Sequence, residues 1–186
     1  MSMDNLSNKI SQKKIYLVGY MTSGKSTFAK EFVNEMPHWN YLDIDEQIEQ
    51  QEGISIDTLV KSKGEAYFRQ LETEVLQNTQ DLRQTIIATG GGLPCFNDNM
   101  SFILNNGLSL FLNPPIQILY RRLQIPDNTA TRPLWNMQPE ELRFNFLTKS
   151  LSNRIHFYAQ ADFEIDTSQP LKTWFETLKD LFEPTF

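Results

Sequence analysis

The sequence predicts an α/β fold, in which helices cover both faces of a mostly parallel sheet. Short apolar strands alternate with amphipathic helices along most of the 186 residues. A glycine-rich phosphate-binding motif joins the first of these strands to the first of these helices. Because no internal repeat or linker divides the chain, we expect a single domain over residues 13–186.

Short apolar runs between the helical segments predict strands. These runs span residues 13–20, 41–45, 85–89, 108–112 and 162–166. The segments between them show helical periodicity over residues 25–36, 46–62, 65–79, 97–105, 115–123 and 139–159, and a last helix carries an apolar stripe from Leu171 to Phe182. Residues 1–12 are expected to form a flexible arm. Residues from about 124 to 138 have no apolar period and are expected to form a lid.

The composition excludes several classes of protein. Seventeen Lys and Arg residues against 23 Asp and Glu give a net charge of −6, which argues against a nucleic-acid partner. No apolar run approaches the roughly 18 residues that a membrane span requires. A single cysteine, Cys95, excludes an internal disulfide framework. We therefore expect a soluble, cytoplasmic globular domain. A monomer is expected as well.

Residues 19–26 (GYMTSGKS) fit the phosphate-loop pattern G-x-x-x-x-G-K-[ST], and Thr27 follows. Glycines let successive backbone N–H groups point at an anion, and the helix that follows adds its positive end. The Lys25 ammonium can reach the β- and γ-phosphates, and the Ser26 hydroxyl can bind Mg²⁺. The motif predicts a nucleoside triphosphate site, but it leaves open whether water, a nucleotide, a sugar or nothing accepts the phosphoryl group.

Two carboxylates, Asp43 and Asp45, end the second predicted strand at the edge where ligands bind in doubly wound sheets. Their i, i+2 spacing places both on one side of the sheet. One carboxylate near Mg²⁺ and one that accepts a proton from a hydroxyl would suit phosphoryl transfer to an alcohol. The alternative is that they are acidic helix caps.

Three further features could bind an acceptor, although each has a simpler explanation. Arg69, flanked by Glu65 and Glu72 at helical spacing, could bind a carboxylate or form a surface salt bridge. The glycines at 90–92 allow a ligand close to the backbone, or form a tight turn. Arg132 in the expected lid and Arg154 in the long helix could bind anions, or be solvated.

The order and spacing of these pieces resemble the shikimate kinase family. The matching segments are GYMTSGKS at 19–26, DID at 43–45, GEAYFRQLE at 64–72, GGG at 90–92, RPL at 132–134 and RIHFYAQAD at 154–162. The resemblance covers residues 13–182. It implies phosphorylation of the 3-hydroxyl of shikimate by ATP and Mg²⁺, in the pathway to chorismate and aromatic amino acids. It also implies the three-layer fold of the nucleoside-monophosphate kinases, with parallel strands in the order 2-3-1-4-5 and a lid insertion.

The resemblance also implies a role for each matching residue. On the nucleotide side, the phosphates would bind residues 22–27, namely Thr22, Ser23, Gly24, Lys25, Ser26 and Thr27, together with the lid cation Arg132. Ser26 and Asp43 would hold the metal. On the acceptor side, Asp45 would orient or deprotonate the reacting hydroxyl, Arg69 and Arg154 would bind the carboxylate, and Gly90, Gly91 and Gly92 would line the ring. Asp45, Lys25 and Arg132 are the expected catalytic residues.

Two departures from the family pattern concern the loop and the lid. Thr22 stands where the family usually has glycine, and a β-branched residue there is expected to require a negative φ. Trp135 replaces a commoner leucine after the R-P-L motif. Arg122 and the turn at residues 167–170 are considered as adenine contacts.

A gluconate-type kinase and a catalytically silent nucleotide-binding regulator remain the alternative functions.

Overall fold

The computed structural model describes residues 3–125, 135, 138–165, 167 and 170–182, without the side chains of Met3 and Asn5. Its elements, numbered in chain order, alternate as the sequence predicts. They are α1 (Met3–Ser11), β1 (Lys14–Val18), α2 (Lys25–Glu35), β2 (Asn40–Asp43), α3 (Ile44–Glu52), α4 (Ile56–Lys63), α5 (Glu65–Gln77), β3 (Thr85–Ala88), a 3₁₀ turn (Leu93–Cys95), α6 (Asn99–Asn106), β4 (Leu108–Leu112), α7 (Ile116–Leu123), α8 (Glu140–Ser152), α9 (Ile155–Tyr158), β5 (Phe163–Ile165) and α10 (Leu171–Phe182).

The five strands form one sheet in the order β2-β3-β1-β4-β5, and every neighbouring pair is parallel. β1 lies at the centre, where Ile15 pairs with Ile86 of β3 and with Leu108 of β4. The predicted α/β class and the 2-3-1-4-5 strand order are confirmed. Because all strands run the same way, their carboxyl ends meet at one edge, and the loops that follow them lie together.

Two apolar clusters cover the two faces of the sheet. Successive side chains of β1 alternate between them, as the pleat of a strand requires. Ile15 and Leu17 pack against α2 and α10, whereas Tyr16 and Val18 pack against α5 and α6. All four are fully buried, so the central strand holds the phosphate loop that follows it in a fixed position.

The N-terminal segment differs from the flexible arm expected over residues 1–12. Residues 3–11 form α1, whose Leu6 and Ile10 pack against the apolar cluster that contains α10. Lys9 Nζ lies 2.6 Å from Asp162 Oδ1, and both side chains are almost completely buried. Apolar residues at i, i+4 and a buried ion pair therefore fix this helix to the body of the domain.

Two predicted long helices are each divided in the structure. The segment predicted over 46–62 is split at Gly53, whose φ of +69° ends α3 with a left-handed cap. The segment predicted over 139–159 stops at Ser152, and α9 begins at Ile155. Arg154 therefore lies in a turn rather than within a long helix. None of the described helices is long and apolar enough to cross a membrane.

Candidate active site

The phosphate loop joins β1 to α2 at the carboxyl edge of the sheet. Gly24 precedes α2 with a left-handed φ of +104°. A Cβ on Gly19, whose φ is +144°, would lie 2.6 Å from the Leu112 carbonyl oxygen, so this position requires glycine. Lys25 Nζ donates to the carbonyl oxygens of Gly19 and Tyr20, each at 2.9 Å. The predicted strand–loop–helix unit is present, and the Lys25 ammonium group lies over the loop.

Thr22 adopts a φ of +58°, so the expectation of a negative φ at this position is wrong. The loop keeps the left-handed conformation that glycine adopts easily, and the threonine accommodates it. Its Oγ1 donates to the Met21 carbonyl oxygen at 2.6 Å. Arg122 Nη1 donates to the Thr22 carbonyl oxygen at 2.9 Å, which places the guanidinium beside the phosphate loop. A non-glycine residue in this region carries a conformational cost.

Asp43 connects the phosphate loop to the second strand. Its Oδ2 accepts hydrogen bonds from Ser26 Oγ at 2.7 Å and from the Tyr41 hydroxyl at 3.1 Å. Its Oδ1 accepts from the backbone N–H groups of Asp45 and Glu46, so Asp43 is the N-cap of α3. The capping alternative is therefore correct for Asp43, which also contacts the phosphate loop. β2 ends at Asp43, and Asp45 lies in the first turn of α3, not on the strand.

Asp45 and Glu72 meet over Gly90. A Cβ on Gly90 would lie 2.7 Å from Asp45 Oδ1 and 2.6 Å from Glu72 Oε1, so no larger residue fits there. The Glu72 side chain is only 1% exposed. Burial raises the pKa of Glu72 to about 7. The Arg69 charge acts against this rise and lowers the pKa, whereas the Asp45 charge raises the pKa further. The site therefore contains a carboxyl group that titrates near neutral pH.

Arg69 lies on α5 between two carboxylates. Its Nη1 donates to Glu72 Oε2 at 2.7 Å and its Nη2 donates to Glu65 Oε1 at 2.8 Å. Its side chain is 17% exposed, so the alternative of a solvated surface salt bridge does not describe it. Arg154 lines the same cavity, and its Cζ lies 5.6 Å from the centre of the Tyr20 ring. The predicted pair of cations is thus brought together from distant segments.

The glycine loop at residues 90–92 packs against both sides of the site. A Cβ on Gly91 would lie 2.9 Å from the Met21 backbone nitrogen, so this loop and the phosphate loop are in close contact. The buried Tyr158 donates its hydroxyl hydrogen to the Gly91 carbonyl oxygen at 2.5 Å. Tyr158 is four residues after Arg154. This hydrogen bond therefore connects the glycine loop to the segment that carries the second cation.

Two cavities open at this edge and meet. One, of 610 Å³, is lined by residues 21–28 of the phosphate loop and α2, and by Arg122 and Thr167. The other, of 700 Å³, is lined by Arg69, Glu72, Arg154 and the three glycines. We call them the nucleotide cavity and the acceptor cavity. The residues that line both cavities are Met21, Asp43, Asp45 and Gly91.

Of the expected lid at 124–138, the structure describes residues 124, 125, 135 and 138. Arg132 lies outside the described residues, as does most of the segment at 124–138. Trp135 is described: it is almost completely buried, lines the acceptor cavity and contacts the edge of the Tyr120 ring, with centroids 6.0 Å apart. The Arg143 guanidinium carbon lies 5.7 Å from the centre of the Trp135 ring. Of the turn considered as an adenine contact, Thr167 lines the nucleotide cavity, and residues 168–169 are not described.

Comparison with known proteins identifies the family. The family model described as shikimate kinase matches residues 21–181. A relative named shikimate kinase, from Bacteroides thetaiotaomicron, is 33% identical over 175 residues, which cover 91% of this chain and 98% of that protein. The chain belongs to the shikimate kinase family.

Two solved shikimate kinase structures support the same assignment. The crystal structure of the Bacteroides thetaiotaomicron protein superposes with a TM-score of 0.80, covering 91% of this chain and 98% of that one. The structure from Acinetobacter baumannii, in complex with shikimate, gives a TM-score of 0.79 at 29% identity, covering 95% and 96% of the two chains. The likeness to shikimate kinases therefore spans both cavities rather than the phosphate loop alone.

Two residues of this shikimate kinase site were not among the predicted site residues. Glu72 was considered only as a partner of Arg69, although its i+3 spacing places it on the same side of α5. Tyr158 occurs in the matching segment RIHFYAQAD, but its hydrogen bond to Gly91 depends on the packing of α9 against the glycine loop. The first could be found from spacing, and the second required the tertiary structure.

Proposed function

We propose that this protein transfers the γ-phosphoryl group of ATP to the 3-hydroxyl of shikimate, producing shikimate 3-phosphate and ADP. This reaction would place it in the pathway to chorismate and the aromatic amino acids. Membership of the shikimate kinase family supports the activity. The observation that carries the proposal is that a phosphate-loop cavity and an acceptor cavity containing Arg69 and Arg154 meet at Asp45.

On the nucleotide side, we propose that the ATP phosphates bind residues 22–27. The backbone N–H groups and the N-terminus of α2 would hold the phosphates, and Lys25 would exchange its bonds to the loop carbonyls for bonds to the β- and γ-phosphates. Arg122 lies beside this loop and would add a second positive charge. Arg132 stays a prediction as the lid cation, since it lies outside the described residues.

We further propose that Mg²⁺ binds Ser26 and Asp43. The hydroxyl and carboxylate oxygens lie 2.7 Å apart, and both residues line the nucleotide cavity. Oxygen donors of this kind suit Mg²⁺, which keeps several waters and needs few protein ligands. When bound, the ion would neutralise charge on the phosphates. Asp43 is held in place by Tyr41 and by the first turn of α3, so its carboxylate is already oriented.

On the acceptor side, the cavity chemistry matches a small polyhydroxylated carboxylate. Arg69 and Arg154 line one cavity and would bind the carboxylate through charge-assisted hydrogen bonds. Gly90, Gly91 and Gly92 leave no room for side chains, so the ring of the acceptor would lie against backbone. Arg69 and Arg154 in one cavity, and Lys25 and Arg122 in the other, would supply the cations with which a protein of net charge −6 binds two anions.

Asp45 is the residue that would act on the acceptor hydroxyl. It lies where the two cavities join, so an acceptor held there would face the γ-phosphate. A carboxylate hydrogen-bonded to the reacting hydroxyl orients it for in-line attack and can accept its proton. Because Gly90 has no Cβ, Asp45 Oδ1 packs closely against the backbone there.

The alternatives are not favoured. Asp45 and Arg69 are both present and face the acceptor cavity, which a silent regulator would not require. Two cations and the glycine loop together fit the shikimate kinase pattern better than that of a gluconate-type kinase. The monomeric state and the cytoplasmic location expected from the sequence stay predictions.

Product analysis tests the proposal. The protein is incubated with ATP, MgCl₂ and shikimate, and the product is examined by coupled ¹H and ³¹P NMR. We expect phosphorus coupling to the proton on carbon 3, and a far weaker signal with D45N after the same incubation time. Phosphate on another hydroxyl would refute the proposed orientation. A folded, ATP-binding protein that phosphorylates none of the hydroxyls would instead favour the regulator.

A further inference from the structure

Phe96 is a large apolar residue in an exposed position close to the acceptor cavity. It follows the 3₁₀ turn after the glycine loop, and 38% of its surface is accessible. Its ring lies over a charged group: the Cζ atom of Arg69 is 4.3 Å from the centre of the Phe96 ring. The position of this aromatic side chain is therefore explained by its contact with one of the proposed carboxylate-binding cations.

The Arg69 guanidinium is held from several directions. Phe68, its neighbour on α5, places a second ring 5.1 Å from the same Cζ atom. Glu72 and Glu65 accept hydrogen bonds from Nη1 and Nη2. Arginine has five N–H donors, and within the part of the chain that the structure describes the buried Nε has no hydrogen-bond partner. Since the glutamates each accept one hydrogen bond, the second N–H groups of Nη1 and Nη2 remain as donors for an anion in the cavity.

The backbone that carries Phe96 is fixed relative to Arg69. Asn97 Nδ2 donates to the Arg69 carbonyl oxygen at 3.3 Å and to Thr73 Oγ1 at 3.0 Å, which connects this turn to α5. At the other end of the segment, a Cβ on Gly92 would lie 2.8 Å from Arg69 Nη1. The glycine loop and the turn after it thus form a rigid support on which the guanidinium lies.

We propose that Phe96 is a positioning residue that acts through Arg69 and determines how strongly the acceptor's carboxylate is bound. The two glutamates fix the guanidinium only at its Nη atoms. A ring packed against the guanidinium restricts rotation about the side-chain bonds and shields that side from water, which strengthens the remaining donors toward a carboxylate. The inference rests on the proposed function, because it assigns Phe96 an effect on the carboxylate-binding end of that site.

Steady-state kinetics of three substitutions at position 96 test this inference. We expect F96A to raise the KM for shikimate about three- to fivefold, a size typical of a partly exposed cation–π contact, with kcat and the KM for ATP unchanged. F96Y keeps the aromatic face and should have the same KM for shikimate as the wild type. F96L keeps apolar volume without a π face and should resemble F96A. F163A, which removes a similarly exposed ring on β5, is the control and should leave both KM values unchanged.

A double-mutant cycle of R69A and F96A distinguishes failure of this inference from failure of the proposed function. If R69A raises the KM for shikimate and F96A adds nothing in the R69A background, Phe96 acts through Arg69. If R69A raises the KM but F96A alone does not, the role of Phe96 is refuted and that of Arg69 stands. If R69A itself leaves the KM unchanged, the proposed binding of the carboxylate is refuted, and the inference with it. Full recovery by F96L, or equal changes in both KM values with F96A, would also overturn the inference.

Discussion

The nucleotide cavity and the acceptor cavity have similar volumes, 610 and 700 Å³, but are built in different ways. One continuous stretch, residues 21–28, supplies nearly half of the residues that line the nucleotide cavity. The three charged residues to which we assign a role in the acceptor cavity come from separate parts of the chain. Asp45 lies on α3, Arg69 on α5 and Arg154 in the turn between α8 and α9. The first is a local structure, whereas the second depends on how the whole domain folds.

This difference indicates where specificity lies. A phosphate loop binds the same groups in many proteins, so it identifies the donor and leaves the acceptor open. We expect the acceptor cavity to decide which acceptor is phosphorylated, because Arg69, Arg154 and the glycines at 90–92 line it together. Substitutions in the acceptor cavity should therefore change the handling of shikimate and leave ATP binding intact.

The largest effect is expected from D45N. Removing the charge at the junction of the cavities should lower kcat about a thousandfold, because the acceptor hydroxyl loses its proton acceptor. Affinity for a non-hydrolysable ATP analogue, measured by calorimetry, should not change. D57N, which alters another carboxylate lining the acceptor cavity, is the control. Loss of ATP affinity in D45N would mean that Asp45 supports the metal or the loop instead.

A smaller effect is expected from R154A. The loss of one charge-assisted carboxylate contact should raise the KM for shikimate about 10- to 100-fold, with the KM for ATP unchanged. K61A is the matched control, since Lys61 lines the same cavity but its side chain is 68% exposed and paired with Asp57. Equal effects of R154A and K61A would show that only the overall charge of the cavity matters.

The sequence predicts these two regions unequally well. The phosphate loop follows from contiguous residues, and the strand order follows from the family resemblance. The prediction that Arg154 lies within a long helix was wrong, because nothing in the local sequence shows that the helix ends at Ser152. Likewise, the approach of Glu72 and Asp45 to Gly90 and the hydrogen bond from Tyr158 to Gly91 join residues far apart in the chain. Such contacts follow from packing, which periodicity alone does not determine.

A third prediction concerns Glu72 and pH. Its pKa is raised by burial from 4.5 to about 7, so the folded protein holds this proton more tightly than the unfolded chain does. The stabilisation that comes from this tighter proton binding by Glu72 is fully present below pH 4.5 and is lost as the pH rises through about 7. Relative to E72Q, the free energy of unfolding of the wild type should therefore fall by on the order of 2 kcal/mol between pH 5 and pH 8.

Urea denaturation of the ligand-free proteins at pH 5, 6.5 and 8 measures this difference. E65Q removes the more exposed carboxylate that binds the same guanidinium, and it serves as the matched control. Parallel pH dependences of the wild type and E72Q would contradict the prediction.

The smallest effect is expected in the phosphate loop itself. Thr22 has a φ of +58°, which costs a β-branched residue about 1–2 kcal/mol. T22G removes that cost but increases the entropy of the unfolded chain, so the net gain in unfolding free energy should be about 0.5–1 kcal/mol. T22A keeps the Cβ and should show no such gain. A T22G protein no more stable than T22A in urea would show that the loop is not strained at this residue.

The central claim is that the acceptor cavity selects shikimate, and ADP release tests it most directly. Release is followed with ATP and MgCl₂ in the presence of shikimate, quinate, gluconate or no acceptor. We predict strong stimulation by shikimate and background rates with the others. Equal or greater stimulation by quinate or gluconate would contradict the claim, although the phosphate-loop chemistry would stand.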